Sequence, residues 1–150
     1  MIKHEKTSMK ELHPIICESI RDGGQFVFYP SGTSMLPTIT PNDDCVILVE
    51  AKEIKKYDLV LFTRTNGIYV LHRIIKIKDG KYTIMGDNQT WSETITHNQV
   101  IAKVAEIRKR NGKVLTEAEF CAKRKVLLLR IFRFYNRIIC KIKRSISIKK

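Results

Sequence analysis

Leu59-Val60-Leu61-Phe62-Thr63-Arg64-Thr65-Asn66-Gly67-Ile68-Tyr69-Val70-Leu71-His72-Arg73-Ile74-Ile75-Lys76-Ile77-Lys78-Asp79-Gly80-Lys81-Tyr82-Thr83-Ile84-Met85 is the stretch on which the fold turns. Its apolar, β-branched and aromatic runs at 59–63, 68–77 and 81–85 are separated by Asn66-Gly67 and Asp79-Gly80. Those dipeptides favour the positive-φ positions of tight hairpins, so the three runs read as antiparallel strands. Within the middle run, strict alternation puts Val70, His72 and Ile74 on one face and Leu71, Arg73 and Ile75 on the other.

Working outward, the same signals recur at 26–29, 45–50, 100–108 and 113–115, the last two joined by Asn111-Gly112. Residues 30–41, rich in Ser, Thr, Gly and Pro, read as turn. Upstream, Leu12, Ile15, Ile16 and Ile20 recur at helical spacing over 8–22, with Ser8 as a cap and Gly23-Gly24 as a stop. The expected fold is mainly β: an antiparallel domain with a short N-terminal helix and a basic C-terminal amphipathic helix. The expected division is 1–24 for the N-terminal helix, 25–118 for the β domain and 119–150 for the C-terminal helix.

Charge is distributed unevenly. The 150 residues carry a formal net charge of +13, and residues 122–150 contain eleven Lys or Arg and no Asp or Glu. The rest of the chain is close to neutral. At helical spacing Arg130, Arg133, Arg137, Lys141 and Arg144 form one stripe of the tail, and Leu127, Ile131, Phe134, Ile138 and Ile142 form another. Three readings of that pattern stand: packing of the apolar stripe on the β domain, lying in the interface of an anionic membrane, or sequence-blind phosphate binding. With one Trp, Trp91, and few aromatic residues that look exposed, a base-stacking surface is disfavoured, so nucleic acid ranks last.

Cys17, Cys45, Cys121 and Cys140 form no C-x-x-C pair and have no His at zinc spacing, so neither a metal site nor a redox motif is expected. Four reduced, mostly buried thiols fit a reducing compartment. Neither a signal-peptide pattern nor a run approaching about 20 apolar residues is present, so a cytoplasmic protein is expected, peripheral at the inner membrane face if the tail binds lipid.

Three pieces carry chemistry. Ser34 sits in Ser31-Gly32-Thr33-Ser34-Met35-Leu36-Pro37-Thr38, where Met35 and Leu36 give a polar turn an apolar anchor and Pro37 stiffens its exit. A nucleophile needs such a loop, held in one conformation. His72 shares a face with Val70 and Ile74, which suits a core residue and equally suits a desolvated, neutral general base. Gly86-Asp87-Asn88 follows the run ending at Met85 and brings a carboxylate at a turn.

Together these motifs resemble the serine peptidase superfamily that includes type I signal peptidases and LexA-type self-cleaving repressors, over about residues 26–107. The resemblance places the nucleophile of a Ser-Met-x-Pro box on Ser34. His72-Arg73 matches the His-Arg pair of the endoplasmic-reticulum and archaeal branch, where a histidine replaces the lysine base of bacterial leader peptidases. It implies a third catalytic group at Asp87 or at Glu93, six residues further on, and the choice between them stays open. It also implies that Ser31 or Thr33 assists the Ser34 N–H in holding the oxyanion, with Met35 beside them at the substrate.

Three departures are visible. Ser31-Gly32-Thr33-Ser34 is one residue longer than the usual Ser-Gly-Ser and closer to the LexA-type Ser-Gly-x-Ser. Glu93 replaces an Asp. Tyr57-Asp58 replaces a Gly-Asp, so that turn is not expected to require positive φ. The implied activity is cleavage of a peptide or precursor protein, bound as an extra strand with small residues near the scissile bond, without a metal or organic cofactor. A catalytically silent peptide-binding or membrane-associated module of the same fold is the alternative.

Overall fold

The hairpin turns are formed as their sequences demand. In the computed structural model, which describes residues 9–122 together with 131, 134–135 and 138–139, Asp79 and Gly80 both take positive φ, 50° and 69°. They join β4 (Tyr69–Lys78) to β5 (Lys81–Met85) with Lys78 opposite Lys81, the two-residue connection that matches strand twist. Gly67, at φ 78°, closes the turn between β3 (Leu59–Thr63) and β4, its N–H donating to the Arg64 carbonyl at 2.9 Å.

The remaining strands are β1 (Phe26–Phe28), β2 (Cys45–Val49), β6 (Glu93–Thr96), β7 (Val100–Arg108) and β8 (Val114–Thr116). All eight belong to one antiparallel sheet, ordered β1-β2-β7-β3-β4-β5-β6 with β8 also pairing β7. The mainly β, antiparallel expectation holds. β6 is the strand that sequence reading passed over: four residues with Thr and Glu at alternate positions carry too little apolar pattern to announce a strand.

Helix α1 (Met9–Ser19) covers the expected periodic segment, and Gly23 at φ 87° turns the chain after it. The cap expected at Ser8 falls outside the described residues. Helix α2 (Glu117–Phe120) is a single turn after β8. The basic C-terminal helix also falls outside them, except that Ile131, Phe134, Tyr135, Ile138 and Ile139 are helical and the first four are exposed.

Strand alternation sorts the core into two clusters. Ile16 of α1, Ile20 just after it, Met35, Ile39, Val46, Leu48, Leu59, Leu61, Leu71, Ala102, Val104, Ile107 and Phe120 fill one. Val60, Phe62, Ile74, Tyr82, Ile84 and Ile95 fill the other, with Val70 packed against it. Leu71 and Val70 therefore face opposite sides, as the period of two requires. Along β7 the parity changes between Val104 and Ile107, which lie in one cluster despite their odd separation. A β-bulge opposite Ile47 and Leu48 inserts the extra residue that restores the apolar face. His72, on the Val70 face of β4, thus points away from the larger cluster, and Arg73 toward it.

Candidate active site

Ser34 lies in a single 3-10 turn, Thr33–Met35, between extended residues Gly32 and Leu36. The turn closes with the Leu36 N–H donating to the Thr33 carbonyl at 3.2 Å. Met35 and Ile39 are buried in the larger core cluster and anchor the loop, so the apolar residues after Ser34 do fix its position. From the other side the turn after β5 grips it. The Asn88 N–H donates to the Ser34 carbonyl at 2.8 Å, and Asn88 Nδ2 donates to the Thr33 carbonyl at 3.3 Å. Gly86 makes this approach feasible, since a Cβ there would stand 2.7 Å from the Ser34 carbonyl oxygen.

His72 is fully buried on β4, opposite Val60 in the register and 6.0 Å from the Phe62 ring centroid. Neither Nδ1 nor Nε2 has a hydrogen-bond partner. A buried imidazole whose nitrogens make no hydrogen bond is costly, and a catalytic role is one explanation for keeping it. Burial holds its pKa down to about 4. Glu93 pulls the other way, Arg64 adds to the lowering, and Asp87 raises it from further off. The ring is neutral near pH 7, the form that accepts a proton.

A cavity of about 700 Å³ joins these parts; its walls include Ser31, Ser34, Met35, His72, Arg64 and Trp91. Ser34 and His72 therefore both line one cavity, without a hydrogen bond between them, although 38 positions separate them in the chain. Thr33 is exposed on the loop, and its carbonyl is engaged as described.

The two carboxylates separate cleanly. Glu93 Oε1 stands 3.6 Å from His72 Nδ1. Asp87 is buried and committed elsewhere: Arg73 Nε donates to Oδ1 at 2.8 Å and Nη2 to Oδ2 at 2.7 Å, and Thr38 Oγ1 donates to Oδ2 at 2.5 Å. Arg73 Nη1 further donates to the carbonyls of Tyr57 at 2.9 Å and Phe120 at 2.8 Å. Arg73 and Asp87 thus tie β4, the turn after β5, the Ser34 loop and α2 into one unit.

That demand on the Tyr57 carbonyl overturns one expectation. Tyr57 takes φ 83° although it is not glycine. Its N–H donates to the Ile74 carbonyl at 2.8 Å while its carbonyl receives Arg73 and, at 3.2 Å, the Cys121 thiol. Satisfying all three bends the backbone into the left-handed region at a strain cost of about 1–2 kcal/mol.

The sequence model of the Peptidase S24-like family matches residues 3–107. The chain belongs to that family. Its match spans the Ser34 loop, the β4 histidine and Glu93, and the antiparallel sheet agrees with the S24 fold. No curated protein matches the chain.

Sequence reading missed Arg64 and Trp91. Arg64 Nε and Nη2 donate to Glu93 Oε2 and Oε1 at 2.7 and 2.6 Å, and the Trp91 ring lies 5.5 Å from the guanidinium carbon. An Arg leading into Asn66-Gly67 looks like a solvated hairpin charge, and only the return of β6 beside it reveals a partner. Among the described residues Cys17, Cys45 and Cys121 are free thiols. No described helix is long and apolar enough to cross a membrane.

Proposed function

We propose that this S24-like protein is a serine endopeptidase of the histidine-base, signal-peptidase-like type. Ser34 Oγ attacks the scissile carbonyl carbon as His72 takes the hydroxyl proton. Glu93 faces Nδ1 and stabilises the imidazolium, and His72 then delivers the proton to the leaving amine. Water, activated by the same imidazole, releases the acyl group from Ser34. The Ser34 N–H and the Ser31 hydroxyl, which lines the cavity, are the donors for the tetrahedral oxyanion. The substrate is an extended peptide or precursor-protein segment, with small residues near the scissile bond, added as a strand. The observation that carries this reading is the fully buried, unpaired His72 ring in the wall of the cavity that Ser34 lines.

The test is cleavage of a leader-peptide library followed by mass spectrometry. Wild-type protein is expected to cut, and Ser34→Ala to lose at least about 10³-fold in kcat/KM. Equal cleavage by Ser34→Ala refutes the mechanism. Affinity for peptides without cleavage by the wild type identifies a silent binding module.

The proposed workplace is the inner face of an anionic membrane, held by residues 122–150. Exposed Ile131, Phe134 and Ile138 favour this, because an apolar stripe docked on the β domain would be covered. Flotation with anionic but not neutral vesicles, lost on truncation after Ala122, is the expected result. Binding of RNA instead, with a steep salt dependence, would transfer the tail to nucleic acid.

A further inference from the structure

Glu93 extends toward His72 from the start of β6, and a side chain with three rotatable bonds needs a reason to stay there. Arg64 supplies one. Its fork makes two parallel hydrogen bonds to the carboxylate at 2.7 and 2.6 Å, and the oxygen bound by Nη2, Oε1, is the one 3.6 Å from His72 Nδ1. Arg64 is itself held. Its N–H donates to the Ile68 carbonyl at 2.9 Å across the hairpin turn, its carbonyl accepts from Gly67, and Trp91 flanks the guanidinium. The turn register of Asn66-Gly67 therefore sets the position of a charge two strands away from it.

We propose that Arg64 is a positioning residue of the Ser34/His72 site, clamping Glu93 so that its carboxylate faces Nδ1 at a fixed distance. This rests on the peptidase reading above. The groups around the ring are Glu93 from β6, Arg64 from the β3–β4 turn, Asp87 from the turn after β5, and apolar Val60 and Phe62 from β3. An unclamped carboxylate beside His72 would raise the imidazole pKa and leave its own orientation unfixed. The paired Arg64 offsets that pull, in keeping with its lowering influence on the His72 pKa, while leaving the carboxylate in place for the imidazolium formed during attack.

The experiment is NMR titration of the His72 ring nitrogens in the full chain, alongside peptide cleavage. Arg64→Gln is expected to move the His72 midpoint up from about 4 toward the ordinary value of about 6.5, and Glu93→Gln to move it down. Misfolding would not produce opposite shifts. Cleavage by Arg64→Gln is expected to fall about 10-fold or more in kcat at unchanged KM, and Arg64→Lys, which keeps the charge but not the fork, to recover part of it. An unmoved midpoint in Arg64→Gln overturns the proposal, as does a rise in KM at constant kcat, which would assign Arg64 to the substrate. If the wild type cleaves nothing while the midpoints move as stated, the clamp stands and the peptidase reading falls.

Discussion

Asp87→Asn is expected to unfold the protein more readily without touching the proton-transfer pair. Arg73 and Asp87 are each about 1% exposed and share two parallel hydrogen bonds, with Thr38 on the same carboxylate. Asn keeps the shape but removes the charge and turns one acceptor into a donor that must face either Arg73 Nε or the pair Arg73 Nη2 and Thr38 Oγ1. Removing one partner of a buried pair leaves the other charge uncompensated, at a cost of about 3–5 kcal/mol. At roughly 3 °C per kcal/mol for a chain of this length, the midpoint should fall by about 10–15 °C. Urea and thermal unfolding at pH 7 measure it, with Arg73→Met and the double variant completing a cycle whose coupling should be at least about 2 kcal/mol. The Arg64–Glu93 pair, only partly buried, provides the contrast: Glu93→Gln should cost less stability than Asp87→Asn and most of the cleavage rate. A loss under about 1 kcal/mol for Asp87→Asn, combined with abolished cleavage, would falsify the division of labour between the two carboxylates.

Two further outcomes follow from the same geometry. Between pH 6.5 and 4 the unfolded chain carries a proton on His72 that the native state, with its pKa about 4, does not. Acidification through that window should thus remove up to about 3 kcal/mol of stability, with no further loss from this group below it. His72→Leu should abolish that part of the slope in urea melts across the window, and an identical slope in both proteins would contradict a neutral buried ring. Gly86→Ala drives a methyl group to 2.7 Å from the Ser34 carbonyl oxygen and 2.9 Å from Gln89 Oε1. Calorimetry should register a loss of about 1–3 kcal/mol, with slower cleavage as the nucleophile loop shifts, and a neutral substitution would mean that the two turns do not press together.

Local signals in this chain are strong where neighbours in sequence are neighbours in space. Asn66-Gly67, Asp79-Gly80 and Asn111-Gly112 specify turns whose geometry depends on a few adjacent dihedrals, and the alternation of 69–75 predicts which residues share a face. The serine box and the His-Arg pair also stand out in the sequence, because a Ser-Met-x-Pro turn and a strand-borne imidazole each have a compact local pattern. Which carboxylate lies beside His72 is not legible there. Asp87 and Glu93 look alike as carboxylates after β5, and what distinguishes them is that Arg73 points into the larger core cluster and captures Asp87, while β6 folds back to set Glu93 beside His72. Tyr57 likewise gave no local sign of positive φ, since the need arises from Arg73 reaching its carbonyl from another strand. Arg64 carried no local sign of its partner for the same reason. Ion pairing and hydrogen bonding act over a few ångströms between residues tens of positions apart, so partner choice belongs to the tertiary structure, whereas periodicity and turn chemistry belong to the sequence.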